Sequence, residues 1–235
     1  MTRGRLVPLV GTALVALTVR WLYFRDLLRQ PALLVPQLDA AAHLEWARGA
    51  LDGTWPPATP FFRAPGYVWA LATLIRVAGD DPVRLAAAQL ALGTATPVLV
   101  ALLAERLHGN RGALVAGIGA ALYPVFPFFE GQLLIPALSI PLLLVALVAS
   151  LALFDRPAPL RAFGIGVLWG AVGVVRPPLL LLATLVPAFL AAGRARRAAV
   201  LVAAGMVILP GLVTARNART GDLVVIASHA GLNLY

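Results

Sequence analysis

An all-α, polytopic bundle of transmembrane helices is the fold class this chain predicts, and three observations predict it. First, 60% of the 235 residues are hydrophobic and 12% are charged, with a mean hydropathy of +0.88. An ordinary soluble domain carries roughly 25% charged residues. Second, alanine- and leucine-rich runs of about 20 residues recur, the length that crosses a hydrocarbon core near 30 Å. Third, the period-2 alternation of a transmembrane barrel is absent. Backbone polar groups in lipid must then be satisfied within each segment, which makes these runs helices.

The elements follow in order, about seven spans in all. Span one covers about residues 6–24 and ends in an aromatic belt of Trp21, Tyr23 and Phe24. Arg3 and Arg5 precede it as in a signal peptide, but no small-residue cleavage pattern follows Arg20, Trp21 and Tyr23. It reads as an uncleaved span, with Arg20 snorkelling outward one turn from the interface. A long first loop follows, 25–82, whose polar part is rich in proline (Pro31, Pro36, Pro56, Pro57, Pro60, Pro65). Within it, 38–51 predicts a short amphipathic helix with Leu38, Ala42, Trp46 and Leu51 on one side. Residues 66–79 are too short for an ordinary crossing and predict an interfacial helix. Asp81 and Pro82 start the next span, since Asp favours a helix start and Pro its first turn. That span runs to about 105, and His108-Gly109-Asn110-Arg111-Gly112 is a tight turn. Later spans fall at about 112–129, 133–153, 162–176, 177–193 and 198–214, and a polar tail covers 215–235.

Charge sets the expected orientation. All 19 basic residues are arginine, and the net charge is +9. Such a balance fits nucleic acid binding in principle. Here the arginines are dispersed among short loops, so topology explains them and no nucleic acid partner is expected. With the N-terminus inside, Arg3, Arg5, Arg106, Arg111, Arg156, Arg161, Arg194, Arg196 and Arg197 fall in inside segments. The first loop, Glu130, Arg176 and the segment from Arg216 onward then share the outer face. The chain has no cysteine, which excludes disulfides and thiolate metal sites. Phosphate-binding glycine loops, HExxH and GxSxG are absent too, which argues against ATP hydrolysis and zinc proteolysis.

Few residues are left that carry chemistry. Asp39, in Gln37-Leu38-Asp39, reads either as a helix cap or as an acid–base group. His43 and Glu45, about a turn away, read as solvated loop residues or as partners of Asp39. Asp52 before Gly53 is a turn. Glu130, in Phe128-Phe129-Glu130-Gly131-Gln132, is a carboxylate among apolar residues; it is either solvated or a group with a raised pKa. Arg176 lies between Val175 and Pro177, where a guanidinium either snorkels to the interface or binds an anion such as phosphate. Arg216 and Arg219 read as surface or headgroup-contacting residues.

In order and spacing these segments resemble the membrane glycosyltransferases of the GT-C superfamily. The resemblance is to the bacterial family 39-like enzymes, related to protein O-mannosyltransferases and the lipid A aminoarabinose transferase. Leu38-Asp39 through Trp46-Ala47 resembles the first-loop motif. Phe62-Arg63-Ala64-Pro65-Gly66-Tyr67 resembles the interfacial segment. Tyr123-Pro124 with Phe129-Glu130-Gly131-Gln132 resembles the second outer loop. Val175-Arg176-Pro177 resembles the Arg-Pro after the fifth span, and Arg216-Asn217 through Gly231-Leu232-Asn233-Leu234-Tyr235 the outer segment after the seventh.

The resemblance implies transfer of a sugar from a polyprenyl-phosphate carrier to an acceptor protein, lipid or glycan, among membrane lipids. It implies Asp39 as general base, Glu130 as the second acid, Arg176 on the carrier phosphate, and His43, Glu45, Arg63 and Tyr67 as substrate-binding residues. It leaves a divalent cation open, since relatives differ. The expected site is the extracytoplasmic face of a bacterial cytoplasmic membrane. Relatives are longer, so 1–235 is expected to be one module at the N-terminal part of a larger enzyme. A small transporter, a lipid-handling membrane protein or an inactive module are the alternatives.

Overall fold

The computed structural model describes residues 3–229. The segment Gly231-Leu232-Asn233-Leu234-Tyr235 lies outside the described residues. Among those described there is no strand. The helices are α1 (Arg3–Leu28), α2 (Asp39–Asp52), α3 (Gly66–Ala78), α4 (Pro82–Gly93), α5 (Ala95–Leu122), α6 (Val125–Gly131), α7 (Pro136–Asp155), α8 (Pro159–Val175), α9 (Leu179–Ala183), α10 (Leu185–Ala192) and α11 (Arg196–Thr220), with a 3-10 turn at Pro31–Leu34. Four stretches are long and apolar enough to cross a membrane: Leu6–Leu28, Pro82–Leu122, Pro136–Asp155 and Arg196–Thr220. The apolar helices Gly66–Ala78, Pro159–Val175 and Leu179–Ala192 are shorter.

The chain forms two compact units. One comprises Met1–Arg48 with Ala70–Val148, the other Gly49–Trp69 with Ala149–Tyr235. In the first, α4 starts as the sequence predicts. The Asp81 carboxylate accepts from the backbone N–H groups of Val83 and Arg84 at 2.8 and 3.0 Å, and Pro82 occupies the first turn. The 41 residues of Pro82–Leu122 would span about 60 Å as one straight helix, twice a hydrocarbon core. Gly109 interrupts them with φ 67° and ψ −164°, a conformation open mainly to glycine. The arm after it folds back, so Ala113 packs with Ala101 and with Leu9 of α1 in one buried cluster. The predicted turn at 108–112 is therefore present.

In the second unit α8 and α11 cross at close range. A Cβ added to Gly166 would overlap the Val202 carbonyl, and one added to Gly205 would overlap the Phe163 carbonyl. Small residues let helix backbones approach this closely in an apolar setting, where packing and not hydrophobic exclusion holds helices together. Gly205→Ala is accordingly expected to lower stability by about 1–3 kcal/mol, the usual cost of overpacking. Thermal unfolding in detergent micelles measures it, and an unchanged midpoint would contradict this packing. Trp169, fully buried in α8, donates from Nε1 to Ser150 Oγ of α7 at 3.0 Å, which satisfies its polar atom.

The span expected at 112–129 breaks between Leu122 and Val125, the one expected at 177–193 divides into α9 and α10, and two more boundaries differ from the sequence reading. α1 continues past 24 to Leu28, and α11 continues through 215–220, where a polar tail was expected. The extension of α11 has a clear cause. Asn217 is fully buried and hydrogen-bonded, and the Thr220 hydroxyl caps the last turn by donating to the Arg216 and Asn217 carbonyls at 3.3 and 3.1 Å. Polar residues here extend the helix because they are spent on neighbouring loops and the helix's own end.

Candidate functional site

α2 carries Asp39 in its first turn. The helix's opening hydrogen bonds run from Ala40 to the Gln37 carbonyl and from Ala42 to the Leu38 carbonyl, so Leu38 takes the cap position and Asp39 follows it. A carboxylate there is favoured by the helix dipole. The helix buries Ala40, His43, Leu44 and Ala47. That face differs from the expected one; Leu38 is 89% exposed, because the apolar side is set by tertiary neighbours and not by the largest side chains. Asp39 and Glu45 are exposed and His43 is buried, with its ring edge-on to Trp46 at 6.1 Å.

Glu130 is not solvated. It sits at the end of α6, 3% exposed, and its Oε1 accepts from Arg20 Nη2 of α1 at 2.8 Å. Arg20, 1% exposed, does not snorkel outward as the sequence suggested. A carboxylate within reach offers the guanidinium a partner inside the bundle, which removes the need to reach water. The carboxylate lies directly on the backbone of Gly93 in α4, where any Cβ would overlap it. Glu130 Oε2 and Arg20 Nε are buried without a hydrogen-bond partner. Burial pushes the Glu130 pKa above its ordinary value, and the hydrogen bond and charge of Arg20 oppose that rise without cancelling it.

The neighbours of both acids meet. Leu33, Leu34 and Pro36, just before Asp39, line one depression with Pro82 and with Gly131, Gln132 and Leu133, just after Glu130. Leu38 and Leu133 are two of four described non-glycine residues with positive φ, at 50° and 49°. Backbone held in that region costs about 1–3 kcal/mol and concentrates at functional sites. Outside the depression, the exposed pair Arg48–Asp80, 2.8 Å between Nε and Oδ2, ties α2 to the turn before α4. Arg48→Ala is expected to cost under about 1 kcal/mol, because solvent screens such a pair; chemical unfolding checks it.

Arg63, Tyr67 and Arg176 belong to the second unit. Tyr67 is 3% exposed, and burial pushes its phenol pKa up. Arg176 is exposed at the end of α8, where its backbone N–H donates to the Val172 carbonyl at 2.8 Å. Arg216, expected as a surface residue, instead donates to the Thr59 carbonyl at 2.8 Å and to the Pro57 carbonyl, with its guanidinium 4.3 Å over the Phe61 ring. Phe61 also meets Trp55 and Trp69, with ring centroids at 5.2 and 6.1 Å.

Among the described residues no three His, Asp or Glu side chains converge as a metal-binding group. A donor set for a divalent cation is thus not assembled there, and no step is routed through one. Arg20 and Gly93 are the residues sequence reasoning missed. A single arginine in an apolar span and a single acid in an apolar link were the available signal, since each is costly without the other. No family model, curated protein or solved structure matches the chain.

Proposed function

We propose that the chain is a module of a membrane glycosyltransferase that takes a sugar from a polyprenyl-phosphate carrier on the extracytoplasmic side of a bacterial cytoplasmic membrane. The observation that carries this reading is the shared depression in the first unit, where the segments next to Asp39 and Glu130 come together. Segments that precede Asp39 and follow Glu130 and line one depression suit chemistry at a membrane surface. The left-handed backbone at Leu38, beside Asp39, and at Leu133, after Gly131 and Gln132, supports it. The proposed topology has seven spans: α1, α4 with the first arm of α5, its second arm with α6 as far as Phe129, α7, α8, α9 with α10, and α11; Glu130 lies at the outer boundary. α2 and α3 lie at the interface.

In the proposed reaction the acceptor hydroxyl attacks the anomeric carbon and passes its proton to the Asp39 carboxylate. A new glycosidic C–O bond forms. The anomeric C–O bond to the carrier phosphate breaks, and its electron pair leaves with the phosphate. Asp39 is exposed in the first turn of α2, which suits a group that receives a proton from a substrate. Arg176, exposed at the end of α8 in the second unit, is proposed as an anion-binding residue of that unit through its planar fork. Substrate-binding roles are proposed within each unit separately, for His43 and Glu45 in the first and for Arg63 and Tyr67 in the second. The acceptor is a protein, lipid or glycan hydroxyl.

The test is transfer from a radiolabelled polyprenyl-phosphate sugar in proteoliposomes. Asp39→Asn is expected to lower turnover about 10²–10⁴-fold, the usual worth of a general base. Unchanged turnover removes Asp39 from that role. A proton-coupled transporter is the second reading, favoured by the buried Arg20–Glu130 pair, since charges inside membrane bundles often mark ion pathways. Sugar-independent proton flux through the same proteoliposomes distinguishes it.

A further inference from the structure

The Arg20–Glu130 pair joins α1 to α6 across 110 residues of sequence, and the mechanism just given does not use Arg20. Both side chains are at least nine-tenths buried. Only one carboxylate oxygen is bound; Oε2 has no partner. Three elements fix the carboxylate: α6 supplies it, α1 grips Oε1, and α4 yields room for it through the missing side chain of Gly93. Arg20 Nη1 is itself anchored on the Ala16 carbonyl at 3.4 Å. A pair that served stability alone would gain most from full satisfaction of both partners, and this one is left half-satisfied.

We propose that Arg20 is a positioning residue for Glu130: it grips Oε1, so that both carboxylate oxygens lie against the bare backbone of Gly93 and Oε2 stays enclosed without a partner. A part for Glu130 in sugar transfer rests on the glycosyltransferase reading above; the pinning of Glu130 does not. Arg20 is the charged group that bears on the carboxylate, and its loss leaves burial unopposed.

Infrared titration of the Glu130 carboxyl, assigned as the band lost in Glu130→Gln, tests the pinning without any substrate. Arg20→Gln is expected to raise the proton affinity of Glu130 at least about tenfold, as loss of an adjacent opposite charge does. Arg20→Lys keeps the cation without the planar fork and is expected to restore that affinity to within about threefold. It also serves if Arg20→Gln does not yield a monodisperse protein in detergent. A Glu130 band that titrates alike in the wild type and both variants overturns the proposal.

The sugar-transfer assay then separates the two readings. Slower turnover in Arg20→Gln, with donor KM within about twofold and the acid limb of the pH profile following the infrared shift, supports both. A shifted band in a protein that transfers no sugar keeps the pinning and removes the transferase reading. Transfer that is intact in Arg20→Gln at every pH leaves the transferase reading standing and overturns the role of Arg20.

Discussion

Arg20→Met is expected to destabilise the protein by about 3–5 kcal/mol, while the double variant Arg20→Met/Glu130→Gln loses far less. Removing one partner of a buried ion pair strands the other charge in a medium that cannot solvate it. Both side chains here are almost fully enclosed, so neither has water to fall back on. Replacing both with uncharged groups removes the desolvation cost along with the attraction, and such exchanges are often neutral or favourable. The unpartnered Oε2 and Nε tilt the balance further, since the native pair is itself incompletely satisfied. Chemical unfolding of the wild type, both single variants and the double in detergent gives the cycle directly. A double variant as unstable as the sum of the singles would mean that the two residues act independently.

The same pair sets a pH dependence. The folded-state pKa of Glu130 lies above its ordinary value of 4.5. Between those two values the folded chain holds a proton that the unfolded chain has released. Stability from this group is therefore fully present below about pH 4.5 and declines as pH rises through the folded-state pKa. Glu130→Gln is expected to flatten that decline, and Arg20→Met to extend it to higher pH, because burial then acts unopposed.

Much of the helical frame was legible in the sequence because it depends on local chemistry. Asp81-Pro82 announces α4, Gly109 announces a reversal, and the run from Asp39 to Asp52 differs by one residue at each end from the predicted 38–51. What was not legible depends on distant partners. The buried face of α2 is chosen by what packs on it, and Leu38, an obvious anchor by composition, ends up in solvent. Arg20 looked like a snorkelling residue because periodicity says nothing about a carboxylate 110 positions away. The end of α11 looked like a tail because Arg216 and Asn217 are polar, and no local rule assigns their partners at 57–61. Of the candidate site, Asp39 and Glu130 were named as acids, which are rare in so apolar a chain, and given roles by the resemblance. Gly93 was not, because a glycine that makes room for a carboxylate resembles one that makes room for a helix.

Asn217→Asp is expected to be about as damaging as the loss of Arg20, although it changes one atom. Asn217 is fully buried, and its amide is satisfied on both ends. Oδ1 accepts from the Phe61 N–H at 3.1 Å, and Nδ2 donates to the Val224 and Ile226 carbonyls at 3.1 and 3.0 Å. One side chain thereby holds the end of α11, the 59–62 loop and the segment after α11 in register. Asn217→Ala leaves three backbone groups without this partner, each worth about 1–3 kcal/mol when buried, so a total loss of about 3–5 kcal/mol is expected after relaxation. Asp keeps the shape and the acceptor but faces two carbonyls with an oxygen instead of a donor. An ionised carboxylate there is repelled by both. A protonated one recovers a single donor. The Asp variant is therefore expected to be less damaging at acid pH, where it is protonated, than at neutral pH. Asn217→Ala has no such group and should not share that trend. Tryptophan fluorescence is a suitable readout, because Trp55 and Trp69 pack on the Phe61 ring whose backbone Asn217 holds. Equal pH profiles for the Asp and Ala variants would show that the Nδ2 bonds do not govern this junction, and the positioning of the 61–67 segment with Arg63 and Tyr67 would then need another cause.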